Sequence, residues 1–233
     1  MNNHLTYFLI LGASLLVPLS LSFDKKVSFY KKWKYLFTAL ILPVVIYIAW
    51  DVWFTSKGVW QFNEKYVTGA YLLNLPVEEV LFFIIVPYCC VFIYECVVSW
   101  FPKIIPTRYS DILFTLLGAA LVITGAFFNS RMYTAVTFIL CGTGILFIRF
   151  FPPLFKYFNT RAFLISYLII FIPFVIVNGF LTAIPVVIYN DYENLGLRLY
   201  TIPIEDLFYG FLLIVLTVAI YEKLIKRNST HGK

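Results

Sequence analysis

Seven apolar runs constrain this chain more than any other feature. They cover about residues 5–22, 35–54, 79–99, 112–129, 132–150, 162–184 and 204–222. Each approaches the roughly 20 residues that a helix needs to cross the hydrocarbon core of a bilayer. Inside that core every backbone N–H and C=O must be paired within its own segment, so the runs are expected to be α-helices. The fold expected is therefore an all-α, multi-pass integral membrane protein. Charged residues make up 13% of the 233 residues, against roughly a quarter in a soluble domain. Little is left over for an extramembrane domain. The first run lacks a basic leader and a small-residue cleavage site, so it is read as a retained span and not as a signal peptide.

The basic residues set the expected orientation. The 23–34 loop carries Lys25, Lys26, Lys31, Lys32 and Lys34. Lys103 and Arg108 follow the third run, Arg149, Lys156 and Arg161 flank the fifth, and Lys223, Lys226, Arg227 and Lys233 lie in the tail. With seven spans all of these share one side, which leaves only Lys57, Lys65, Arg131 and Arg198 of the 18 basic residues for the other. The positive-inside rule puts the N-terminus outside and the C-terminus in the cytoplasm, so the chain is expected in the cytoplasmic (inner) membrane. The net charge of +6 is then a topology signal. A nucleic-acid partner would need those charges on a folded soluble surface. Cys89, Cys90, Cys96 and Cys141 fall within spans as small hydrophobes, with no CxxC pair, and His4 and His231 are terminal. No metal site is expected.

A shift of 127 residues aligns the two halves without a gap. PVEEVLFFIIVPYCCVFIYE (76–95) falls on PIEDLFYGFLLIVLTVAIYE (203–222), so Pro76 meets Pro203, Glu78 meets Glu205 and Glu79 meets Asp206. Upstream, Asp51 meets Asn178, Asn63 meets Asn190 and Gly69 meets Gly196. Polar positions that match as well as apolar ones point to duplication. Three spans per copy would insert the second copy upside down, and an extra span restores its orientation. The expected arrangement is two parallel three-helix repeats joined by an extra helix (3+1+3): a first repeat over 1–111, a linking helix over 112–131 and a second repeat over 132–233. Both acidic motifs then lie at one depth on the outer side.

PVEE and PIED have a plain reading as helix starts. Proline suits a first turn, and carboxylates there favour the positive end of the helix dipole. Recurrence at matched positions, each followed by an aromatic pair (Phe82 and Phe83; Phe208 and Tyr209), argues for more. Ionisable groups near hydrocarbon are expensive and are read first as functional. A carboxylic acid facing an apolar cavity can keep its proton near neutral pH, a second in a polar setting can act as base, and aromatic faces can hold a carbocation between them. That combination suits proton-initiated rearrangement of an alkene.

The duplicated P-x-E-[ED]-x-x-[FY] motif, PVEEVLF and PIEDLFY here, on three-span repeats joined by an extra helix, resembles the membrane-integral lycopene cyclase domain family in its fused, two-repeat form. The resemblance covers essentially the whole chain; the second copy departs from the first in carrying aspartate as its second acid. It implies cyclisation of lycopene ends to β-ionone rings, giving γ-carotene and then β-carotene, a net isomerisation with no redox step. No GxGxxG loop is present, and no bound cofactor is expected. Glu78 and Glu205 are the leading candidates for proton donation or acceptance, with Glu79 and Asp206 as partners. Pro76, Pro203, Phe82, Phe83, Phe208 and Tyr209 complete the motifs. The expected partners are lycopene or another hydrophobic carotenoid, the lipid bilayer, and other carotenoid-pathway enzymes.

Asp51 and Asn178 have two open readings, as interfacial polar ends beside belt tryptophans Trp50 and Trp53, or as hydrogen-bond partners of the motif carboxylates. Asn74 precedes the first motif, and Arg131 could pair with an acid on that side. Glu95 and Glu222, 19 residues beyond their prolines, belong roughly 28 Å away near the cytoplasmic end, as interface markers or partners of basic loops. A small-solute transporter with the same 3+1+3 layout is the rival reading, as is a cyclase acting on a different carotenoid. A retinal-type Schiff base lacks its lysine, since LFYGFLLIVLTVAIY carries none.

Overall fold

The computed structural model describes residues 3–231, with side chains through 227. His231 and Lys233, placed in the tail above, lie outside the described side chains. Seven long helices are present: α1 (Thr6–Leu21), α2 (Trp33–Ser56), α3 (Val77–Trp100), α4 (Arg108–Phe127), α5 (Met132–Phe150), α7 (Thr160–Ala183) and α8 (Ile204–His231), with a four-residue α6 (Pro152–Phe155) between α5 and α7. All seven are long and apolar enough to cross a membrane, and the chain is a multi-pass membrane protein. Local chemistry sets several boundaries. Thr107 and Ser110 form a reciprocal capping box at the start of α4, and Asn159 accepts from Ala162 N–H to open α7.

The elements recur at the spacing of the sequence repeat. Trp33 to Thr160 and Ser56 to Ala183, the ends of α2 and α7, are both steps of 127 residues. So are the starts of β1 (Trp60–Phe62) and β4 (Val187–Tyr189), of β2 (Tyr71–Leu72) and β5 (Arg198–Leu199), and of β3 (Leu75–Pro76) and β6 (Ile202–Pro203). The fold is all-helical as expected, with three short strand pairings set between the helices. β1 pairs antiparallel with β4, while β2–β3 and β5–β6 are two-residue hairpins that lead into α3 and α8. The hairpin loops hold Leu73 and Tyr200 in the left-handed region, both at φ 59°, where a side chain is strained. The prolines are displaced from their expected place too. Pro76 and Pro203 end strands and precede the first helical residue, so they are not first-turn residues.

α8 is the most enclosed span, with 61% of its apolar window buried, against 11% for α1. α3 and α8 lock together away from the motifs. The Tyr94 hydroxyl donates to Glu222 Oε1 (2.8 Å) and the Tyr221 hydroxyl donates to Glu95 Oε1 (2.6 Å). Lys32 forms an ion pair with Glu95, the basic-loop partnership expected of it. Both carboxylates are buried within the protein. α4 and α5 pack through glycines so closely that a Cβ at Gly142 would lie 2.5 Å from the Gly118 carbonyl oxygen.

Candidate active site

Adjacent residues on a helix point about 100° apart, so two neighbouring acids cannot share one direction. In α3 and α8 this separates the motif carboxylates into two kinds. Glu78 Oε1 accepts from Thr68 N–H (2.7 Å), and Glu205 Oε1 accepts from Leu195 N–H (2.8 Å) and the Thr134 hydroxyl (2.6 Å). Both tie the loop ahead of their helix to its first turn. Neither lines the cavity described next, and the second oxygen of each has no hydrogen-bond partner among the described residues. Glu79 and Asp206 turn the other way.

A cavity of about 830 Å³ runs between α1, α3, α7 and α8, and both Glu79 and Asp206 line it. That is the large end of the range for small-molecule sites. Its body is apolar, with Leu9, Val86, Ile170 and Ile214 among its walls. Leu9 and Val17 of α1 and Ile176 and Phe180 of α7 line it while being exposed, so the cavity reaches the outside of the bundle between those helices.

The polar end of the cavity is built by tyrosines. Tyr7, from the first turn of α1, donates to Glu79 Oε2 at 2.5 Å. Tyr133, from the first turn of α5, donates to Asp206 Oδ1, and Tyr189, from β4, donates to Asp206 Oδ2 at 2.8 Å. Burial, and then the neighbouring Asp206 charge, pushes the Tyr189 hydroxyl well above its usual range, so it stays protonated and able to donate. The β1–β4 ribbon sets Trp60 opposite Tyr189. Trp60 in turn meets the rings of Tyr133 (5.1 Å) and Tyr209 (5.8 Å). The Tyr209 hydroxyl, buried at the cavity, has no hydrogen-bond partner among the described residues. Two carboxyl groups thus face an apolar space beside electron-rich rings.

Other expected site residues fall elsewhere. Phe82 and Tyr209 line the cavity, whereas Phe83 is buried in the core and Phe208 packs edge-on against Phe138. Pro76 and Pro203 are buried behind the motifs and do not line the cavity. Asp51 and Asn178 do not bond the motif carboxylates. Asp51 is buried and accepts from the Trp60 indole N–H (2.6 Å), while Asn178 lines the cavity and donates to the Phe174 carbonyl one turn back. Asn74 ties the first hairpin to the Val52 carbonyl. Trp50 is not a belt residue: it is buried against Tyr47 and Tyr209. Arg131 pairs with the Asn194 carbonyl oxygen and with no acid among the described residues. Outside the spans, the Asn194 amide and Arg198 hold the Asp191 carboxyl below its usual range.

Sequence reasoning missed Tyr7, Tyr133, Tyr189, Trp60 and Phe62. A signal for the first two was present. The repeat aligns Thr6-Tyr7 with Tyr133-Thr134, the same two residue types in opposite order at matched places.

The lycopene cyclase family profile matches residues 4–97 and 130–224, leaving out α4 and its flanks. The bifunctional lycopene cyclase/phytoene synthase of Aspergillus oryzae (strain ATCC 42149 / RIB 40) is 29% identical over 93 residues, 39% of this chain and 16% of that protein. The chain therefore matches only a small part of that relative. No solved structure matches.

Proposed function

We propose, from the premise that this chain belongs to the lycopene cyclase family, that it is a lycopene β-cyclase working by acid/base catalysis without redox chemistry. One observation carries the reading: a carboxyl group from each repeat, Glu79 and Asp206, faces one apolar cavity beside aromatic rings. The reaction needs a proton for the terminal C1–C2 alkene, protection of the resulting cation, and an acceptor for a ring proton. Carboxylic acids supply the first and last. The faces of Trp60, Tyr133 and Tyr209 favour the cation. The substrate is a hydrocarbon dissolved in the membrane, and the gap between α1 and α7 is a path for it from the bilayer.

This reading shifts weight within each motif, from Glu78 and Glu205 to Glu79 and Asp206. The first acids brace the loops and the second acids do the chemistry. The repeats over 1–111 and 132–233, joined through 112–131 in a parallel 3+1+3 arrangement, would bring the two second acids to one depth. Recurrence of every strand and of α2 at 127 residues supports that arrangement. The basic loops favour an external N-terminus and a cytoplasmic C-terminus in the inner membrane. The activity is an intramolecular lyase, or isomerase, reaction.

Expression in a bacterium that accumulates lycopene tests the function. Extracted pigments separated by chromatography are expected to contain γ- and β-carotene. Unchanged lycopene, with the protein in the membrane, would point to another carotenoid or to the transporter.

A further inference from the structure

The two cavity acids are not equivalent, and the difference is one hydroxyl. Asp206 accepts at both oxygens, from Tyr133 and from Tyr189. Glu79 accepts at one, from Tyr7, and makes no second hydrogen bond among the described residues. The repeat explains the asymmetry. The position matching Tyr189 is Phe62, which lines the same cavity but carries no hydroxyl. The position matching Tyr133 is Thr6, whose hydroxyl is turned away to the Asn3 carbonyl. Glu79 has neither counterpart and takes its one donor from Tyr7.

Donors on both oxygens favour the charged form of a carboxylate, and they also fix its plane. A carboxyl group with one donor and one open oxygen can carry a proton on the open one, toward the cavity. We infer that Glu79 is the proton donor and Asp206 the acceptor, and that Tyr133 and Tyr189 are positioning residues that aim Asp206 at one ring hydrogen and so set where the ring double bond forms. This inference rests on the lycopene cyclase reading.

The step balances without an oxidant. Glu79 gives its proton to C2, and the alkene π pair becomes the C2–H bond, leaving the cation at C1. The C5–C6 π pair forms the C1–C6 bond and moves the charge to C5. Asp206 removes the C6 proton, and the released pair becomes the C5–C6 double bond of a β-ring. The proton then returns from Asp206 to Glu79 before the next turnover. The C5 cation also has hydrogens at C4 and on its methyl group. Loss from either gives a different ring isomer, so the aim of the base decides the product.

Membranes holding equal amounts of wild-type or variant protein, supplied with lycopene, test this when ring isomers are resolved by chromatography. Tyr189→Phe and Tyr133→Phe are expected to raise the share of non-β rings about tenfold, the scale of one lost hydrogen bond to a charged group. Tyr7→Phe is expected to change the rate and leave the β-ring dominant. Phe62→Tyr, which offers Glu79 a second donor, is expected to slow conversion about tenfold with no change of isomer. β-rings alone from both Tyr133→Phe and Tyr189→Phe, or scattered isomers from Tyr7→Phe, would overturn the inference while leaving the cyclase reading intact. Wild-type membranes that leave lycopene unchanged would remove the cyclase reading itself, and this inference with it.

Discussion

At the scale of residues, adjacency in sequence hid a division of labour. Glu78 and Glu79 read as one acidic pair, yet the helix sends one to a loop and the other to a cavity. The loop role has a measurable cost. Glu78→Ala and Glu205→Ala each leave a backbone N–H, at Thr68 or Leu195, without its acceptor. Each is expected to lower stability by about 1–3 kcal/mol, read as a drop in the thermal unfolding midpoint of the detergent-solubilised protein. A different outcome belongs to Tyr209. Its hydroxyl is unpartnered but its ring packs beside Trp60 at the cavity. Tyr209→Phe keeps the ring face and is expected to keep the rate, while Tyr209→Leu is expected to slow conversion roughly tenfold or more through lost cation–π stabilisation. Initial rates on lycopene in membranes check both. The motif acids, Phe82 and Tyr209 were legible as candidates because carboxylates and aromatics at a span's mouth carry their own signal. Tyr189 was not, since a tyrosine near an interface is ordinary and only the fold says what its hydroxyl meets.

At the scale of elements, the helices were legible and the strands were not. Hydropathy over 18 or more residues marks a span with little regard for detail, and the seven expected runs correspond to the seven long helices. Strands of two or three residues offer no alternation to read. The β1–β4 ribbon was invisible for that reason, and with it the placement of Trp60 against Tyr189. The partner of Asp51, the Trp60 indole, lies on that ribbon and went unseen with it. Helix packing carries its own test. Gly142→Ala would drive a Cβ to 2.5 Å from the Gly118 carbonyl oxygen, so α4 and α5 must separate. A loss of about 1–3 kcal/mol is expected, as for other overpacked contacts. Thermal unfolding in detergent should show it, whereas Gly12→Ala, where nothing lies within 4 Å of the added carbon, should not.

At the scale of the whole molecule, duplication supplies two acidic motifs and the cavity takes one acid from each. Elements from both halves are needed to build it: α1 and α3 with Tyr7 and Glu79, α7 and α8 with Asp206, α5 with Tyr133, and the shared β-ribbon with Trp60 and Tyr189. The reciprocal Tyr94–Glu222 and Tyr221–Glu95 bonds hold the two central helices in the register that this requires. The two copies have diverged where chemistry would need them different, at Phe62 against Tyr189 and at Glu79 against Asp206. The most direct test compares the acids in a lycopene-accumulating strain, with each variant's amount in the membrane measured. Glu79→Gln and Asp206→Asn are expected to lower carotene formation by about a hundredfold or more, as for loss of a general acid or base, and Glu78→Gln and Glu205→Gln by much less. Full activity in Glu79→Gln and Asp206→Asn, with activity lost in Glu78→Gln and Glu205→Gln, would contradict the account.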